Sequence, residues 1–187
     1  MKKVIIIHGW GGNPNSEAWF SWIKKELSKR QILLNIPKMP NTNNPEIKTW
    51  TNKIKEVAKN INENTYFIGH SIGCQAILRY FEQEKSLHVK GAILIAPWMY
   101  LDKKTIEEEG EESIRIAKPW VETPINWDKI KNTTKNFVCV FSDNDNFVPL
   151  SNAKLFKEKL NAKIIIKHNE EHFNDTKQIK EILEFLK

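Results

Sequence analysis

The chain has 187 residues, 40% hydrophobic and 28% charged, a balance that suits one globular domain with a well-buried core and excludes a disordered chain. Its formal charge of +6 is spread over lysines that alternate with glutamates, so no basic stripe points to nucleic acid. No apolar run approaches the roughly 20 residues of a membrane span, and two cysteines, Cys74 and Cys139, are too few for a disulfide framework and read as buried thiols.

The first apolar run is Val4–Ile7. It is far shorter than the roughly 7–15 residues of a signal-peptide core, so it reads as a buried strand and the protein as cytoplasmic. "HGWGGNPNS" follows. Pro14 takes the place of the third glycine of G-x-G-x-x-G and no phosphate-loop lysine follows, which argues against a nucleotide site. Trp19, Trp22, Ile23 and Leu27 then share one helical face, and so do Ile47, Trp50, Ile54, Val57 and Ile61 beyond a strand at Ile32–Ile36. The strand Tyr66–Ile68 leads into "GHSIGC", after which Ile72, Ala76, Ile77 and Tyr80 keep helical spacing. Strands are predicted at Ala92–Ala96, Phe137–Phe141 and Lys163–Ile166, and a last helical face at Ile179, Ile182, Leu183 and Leu186. Several of these runs are continuous, as in parallel strands covered on both faces. The alternation predicts an α/β sheet with helices on both sides. The segment Pro97–Lys129 is too long for an ordinary connection. Its acidic run, Glu107–Glu112, reads as a solvated helix, and its Trp- and Pro-rich parts as short helices, with some aromatics shaping a pocket beneath a small lid.

Gly69-His70-Ser71-Ile72-Gly73 fits G-x-S-x-G between a strand and a helix, the context of a nucleophile elbow. Flanking glycines let the two backbones approach closely, and the Ile72 N–H at the helix start can hold an oxyanion. The Trp10 N–H of the glycine loop is the expected second donor. A serine hydroxyl needs a base. His8 reads as structural, His70 as pointing away from where a base must stand, and His88 as a surface residue. His168 and His172 both follow the sixth strand, and His172, deeper in its loop, is the preferred base. The acid is Asp143 or Asp145, both in "SDNDNFVPL", and on residue pattern alone either could instead form a turn. Serine, acid and histidine thus follow the third, fifth and sixth strands, all at the carboxyl edge where open α/β sheets bind ligands. "HNEEH" (168–172) also fits the H-x-x-E-H zinc signature, but it follows a strand and lacks an obvious third ligand.

With "HGWGG", "WFSWIKKEL", "GHSIGC", "DNFVP" and "HF" in this order, the whole chain resembles the small α/β-hydrolases of the retinoblastoma-binding-protein type, a family of compact serine hydrolases. The resemblance implies a six-stranded parallel sheet of order 2-1-3-4-5-6. A single domain spanning residues 1–187 is expected, and the long segment 97–129, which varies within the family, is read from its length and composition as a small lid insertion. The resemblance also implies Ser71 as nucleophile, His172 as base and, from the D-x-x-V-P pattern, Asp145 as acid. Glu171 stands where the family favours glycine, and the animal members' L-x-C-x-E motif is absent. The expected activity is carboxylesterase-like cleavage of a small-molecule ester through an acyl-enzyme. No cofactor, metal, nucleic-acid or membrane partner is expected. The rival expectation is a catalytically weak protein that keeps the fold for binding.

Overall fold

A computed structural model describes residues 1–187. Its strands are β1 (Lys3–Ile7), β2 (Leu33–Asn35), β3 (Thr65–His70), β4 (Gly91–Ile95), β5 (Phe137–Ser142) and β6 (Lys163–Lys167). They form one parallel sheet in the order β2-β1-β3-β4-β5-β6. The connecting helices are α1 (Ala18–Lys29), α2 (Ile47–Val57), α3 (Ile72–Gln83), α4 (Lys103–Glu108), α5 (Glu111–Glu122), α6 (Trp127–Thr133), α7 (Ser151–Leu160) and α8 (Lys180–Phe185). No helix is long and apolar enough to cross a membrane.

The period-two alternation of β3 shows how the layers divide. Phe67 meets Phe81 of α3 edge to face, at 5.2 Å between ring centroids. Its neighbour Tyr66 meets Phe185 of α8 at 5.6 Å. So α3 and α8 cover opposite faces. His70, in phase with Tyr66, meets Trp19 of α1, which places α1 on the α8 side. Packing continues from α3 to α2 and α6, and from α6 to α7. Every residue of β3, β4 and β5 is buried, as the continuous apolar runs predict.

Strand β3 runs two residues beyond its apolar stretch, through Gly69 and His70, and delivers the chain directly to Ser71. Helix α3 is buried from Ile72 to Phe81. Burial of a single large apolar side chain stabilises by about 1.5–3 kcal/mol. Ile72, Ile77, Leu78 and Phe81 together therefore outweigh the roughly 1–3 kcal/mol of strain that an unusual backbone conformation stores at the helix start.

The segment 97–129 differs from expectation in one respect. The acidic run is split at Gly110, whose φ of 95° breaks the chain between α4 and α5. Asp102 caps α4 by accepting from the Thr105 N–H at 2.9 Å. Helix α5 is fastened from below: the Arg79 guanidinium donates to the carbonyls of Trp120 (2.8 Å) and Thr123 (2.7 Å) at its C-terminal end.

Candidate functional site

The backbone at Ser71 has φ 52° and ψ −123°, a region that a side chain rarely occupies. Its N–H donates to the Ile95 carbonyl of β4, which pins the turn to the sheet. Both elbow glycines are sterically required. A Cβ on Gly69 would sit 2.7 Å from the Cys74 backbone, and one on Gly73 would sit 2.3 Å from the Ile7 carbonyl oxygen of β1. The turn thus packs α3 against the strands more tightly than any side chain permits.

His172 lies on the loop after β6. Its Nδ1–H donates to Asp145 Oδ2 at 2.8 Å. The other Asp145 oxygen accepts from the N–H groups of Phe147 (2.9 Å) and Val148 (3.0 Å), so the carboxylate cannot swing away. Burial holds the His172 ring below the usual histidine range, against the opposing pull of Asp145. The ring is therefore neutral at pH 7, with Nε2 free to take a proton. Ser71 and His172 line the same cavity of about 530 Å³. Ser71 Oγ accepts a long hydrogen bond from Trp98 Nε1 at 3.4 Å rather than donating to His172. A serine hydroxyl changes partner by rotation about χ1, and serine–base bonds commonly tighten only when substrate is bound.

Asp143 and His168, left open by the residue pattern, find each other instead. His168 Nδ1 meets Asp143 Oδ2 at 2.5 Å, and Asp143 also accepts from the Asn169 N–H. These bonds hold the Asp143 carboxyl below its usual range. His168 stays largely exposed and faces away from the cavity. The two histidines of "HNEEH" thus serve different carboxylates on a loop rather than one helix face, which removes the basis of the zinc reading. Glu171, where a glycine was noted as customary, has φ 48°, and Asn169 and Phe173 flank it at 57° and 63°. The loop is held by side chains from the end of β5. Ser142 Oγ accepts from the Glu170 N–H, and Asn144 Oδ1 from the Glu171 N–H.

Across the cavity, Gly9–Gly12 form a turn closed by Gly12 N–H to the Gly9 carbonyl, with Gly11 at φ 68°. The Trp10 N–H donates to no protein acceptor, and neither does that of Ile72 at the start of α3. His8 is structural, as expected. Its Nε2 accepts from the Met39 N–H and its Nδ1 donates to the Gly9 carbonyl, while burial keeps it neutral. Leu101, Ile106, Ile116 and Phe147 supply apolar wall, with Glu109 and Glu112 on the α4–α5 side. Of the tryptophans in the long segment only Trp98 lines the cavity. Trp120 packs against Trp50 and donates to the Pro45 carbonyl, and Trp127 packs against Phe156.

The sequence reading missed Glu17 entirely and underrated His70. His70 does project to the α1–α8 side. There its Nδ1 meets Glu17 Oε1 at 3.0 Å and its Nε2 meets the His172 carbonyl at 2.7 Å. The partners are 53 and 102 positions apart, and no periodic pattern signals such a pair.

A parallel sheet of this order, with a serine on a strained strand-to-helix turn and acid- and histidine-bearing loops at the same edge, defines an α/β-hydrolase. The serine hydrolase family model matches residues 4–184, and the chain belongs to that family. It is 27% identical to YdeN of Bacillus subtilis (strain 168) over 172 residues, 92% of this chain and 86% of that one. It is also 27% identical to the serine hydrolase RBBP9 of Rattus norvegicus over 176 residues, 94% of this chain and 88% of that protein. The crystal structure of the B. subtilis ydeN product superposes with a TM-score of 0.86 at 25% identity, covering 100% of this chain and 97% of that one.

Proposed function

We propose that the protein is a carboxylesterase-like hydrolase that works through an acyl-enzyme. Ser71 Oγ attacks the carbonyl carbon of a small ester-type substrate while His172 Nε2 takes the hydroxyl proton. Asp145 keeps His172 in the Nδ1–H tautomer and stabilises the imidazolium that forms. The N–H groups of Trp10 and Ile72 receive the oxyanion. Collapse of the tetrahedral intermediate breaks the bond to the leaving group, which departs with the proton from His172. Water then attacks the acyl carbon, His172 acting again as base, and Ser71 is regenerated.

The observation that carries this proposal is a largely buried His172, fixed by Asp145 with Nε2 unengaged, on the cavity that Ser71 also lines. The serine hydrolase character of the rat relative agrees with it. Helices α4 and α5, which bring Ile106 and Ile116 to the cavity wall, are proposed to act as the lid. Two unpaired, buried thiols suit a reducing compartment, and the cytoplasm is the proposed place of action.

The test is labelling by a fluorophosphonate probe, with turnover of p-nitrophenyl esters of increasing chain length. Wild type should label and turn over, and Ser71→Ala should do neither. Full activity in Ser71→Ala, or no labelling of folded wild type, would overturn the proposal; the second outcome would favour a binding protein on this fold.

A further inference from the structure

On the wall of the same cavity stands a second histidine–carboxylate pair that the proposed reaction does not use. The Glu17 and His70 side chains are 3% and 1% exposed. Glu17 Oε1 accepts from the Gly9 N–H at 2.9 Å as well as facing His70 Nδ1, and its other oxygen accepts from the Ser16 hydroxyl. On its far side His70 Nε2 faces the His172 main-chain carbonyl. A carbonyl oxygen only accepts. With Glu17 as a carboxylate, the ring can donate to both neighbours only if both nitrogens carry hydrogen.

We propose that His70, held by Glu17, is a positioning residue for His172: as an imidazolium it ties the carbonyl of the histidine loop to the carboxylate that also holds the glycine loop at Gly9. The proposal rests on the hydrolase reading for its catalytic consequence but not for the ion pair itself.

Three features support it. Burial alone would discourage ionisation of Glu17, yet the His70 hydrogen bond and charge, with the Gly9 and Ser16 bonds, hold its carboxyl down to about 2. A buried charge of this kind persists only when paired. The pair also bridges the two loops that must keep register if an oxyanion donor and a base are to meet one substrate. Glu17 reaches Gly9, next to Trp10, and His70 reaches His172 itself. Finally, the His70 and His172 rings lie 5.2 Å apart between centroids. A positive charge there disfavours protonation of His172 and keeps the base available at lower pH. The ionisable groups facing His70 are Glu17 ahead of α1, His172 on its loop and His8 at the end of β1. Asp145 stands behind His172.

The test separates tether from charge. An Asn side chain at position 70 places its amide near Nδ1 and keeps Glu17 but cannot reach the His172 carbonyl. Gln reaches toward Nε2 and the carbonyl but carries no charge. With a p-nitrophenyl ester, His70→Asn should lose roughly 10- to 100-fold in kcat with KM little changed, the effect of a misplaced base. His70→Gln should retain more of kcat. Both should move the acid limb of kcat/KM up by about half a pH unit or more. Equal kcat in the two variants, with an unmoved acid limb, would overturn the proposal. Nitrogen-15 imidazole spectra of Ser71→Ala, which need no turnover, test the pair independently. Hydrogen on both nitrogens of His70 at pH 7, and a His172 titration that moves up when His70→Gln is added, are expected. A singly protonated His70 or an unmoved His172 titration would refute the pairing, whatever the fate of the hydrolase reading.

Discussion

Replacing Gly73 by alanine tests whether the closeness of α3 to β1 sets the geometry of the site. The new Cβ would lie 2.3 Å from the Ile7 oxygen, 2.7 Å from the His8 oxygen and 2.9 Å from the Ile7 carbon. Ordinary contact starts near 3.4 Å, so helix and strand must part by roughly 1 Å at a density where gaps and overlaps are both resisted. Two effects compete. Alanine favours the helix by about 1 kcal/mol, whereas overpacking costs about 1–3 kcal/mol. Overpacking wins, because every opposing atom is backbone, at the last residue of β1 or the one after it, and none can rotate aside. A net loss of up to about 2 kcal/mol lowers the melting temperature by about 2–4 °C per kcal/mol in a chain of this size. The functional loss is larger. Ile72 N–H rides on α3, and Trp10 N–H on the loop leaving β1, so a 1 Å separation pulls the two proposed oxyanion donors apart. The expected fall in kcat/KM is about 10²-fold. Urea melts with ester kinetics on the same preparation provide the assay. Wild-type kcat/KM in a Gly73→Ala protein that is destabilised as expected would show that the elbow tolerates separation and that these donors do not act together.

Asp145→Asn should keep the fold, since Oδ1 still accepts from Phe147 and Val148, but should present an amide donor to His172 Nδ1 and impose the wrong tautomer. A loss of about 10³–10⁴ in kcat with an unchanged circular dichroism spectrum is expected; a loss below tenfold would count against Asp145 as the acid. The acid limb of kcat/KM should lie below pH 6.5. Burial depresses the His172 value, and activity is lost as pH falls through it, because the protonated ring accepts no proton. A limb above pH 6.5 in a pH–rate profile would contradict a buried base. Arg79→Met leaves the Trp120 and Thr123 carbonyls without their donor and should destabilise by about 1–3 kcal/mol in urea titration. No change there would mean that α5 is held by packing alone.

Much of the fold was legible because strands covered on both faces must be continuously apolar, and Tyr66–Ile68, Ala92–Ala96 and Phe137–Phe141 are. Edge strand β2 was less so. Only Leu33–Asn35 pair with β1, while Ile32 and Ile36 pack beside the ladder. That Ser71 and His172 would meet at one cavity was legible from the order of motifs along the chain. The choice of Asp145 over Asp143 was not legible from spacing, and came only with the family resemblance. Both aspartates sit in one turn-forming stretch, and what separates them is three-dimensional: Asp145 is buried and engaged by two backbone N–H groups, and Asp143 lies on the outer side with His168. Gly110 and its φ of 95° explain the other miss. A run of glutamates has no periodicity to show where one helix ends and the next begins.

Three histidine–carboxylate pairs surround one loop: Asp143 with His168, Asp145 with His172, and Glu17 with His70. Pairing therefore does not identify a base. What distinguishes the three is the fate of the second ring nitrogen. The His168 side chain is 81% exposed, so its remaining nitrogen has water rather than a cavity to serve. His70 Nε2 is taken by the His172 carbonyl. His172 alone combines a carboxylate on Nδ1, an Nε2 without a protein partner and a place on the wall of the cavity that Ser71 shares. In that arrangement one pair holds the backbone from which the other works. A charge change at Glu17 or His70 is then felt at His172 twice, through its position and through its field.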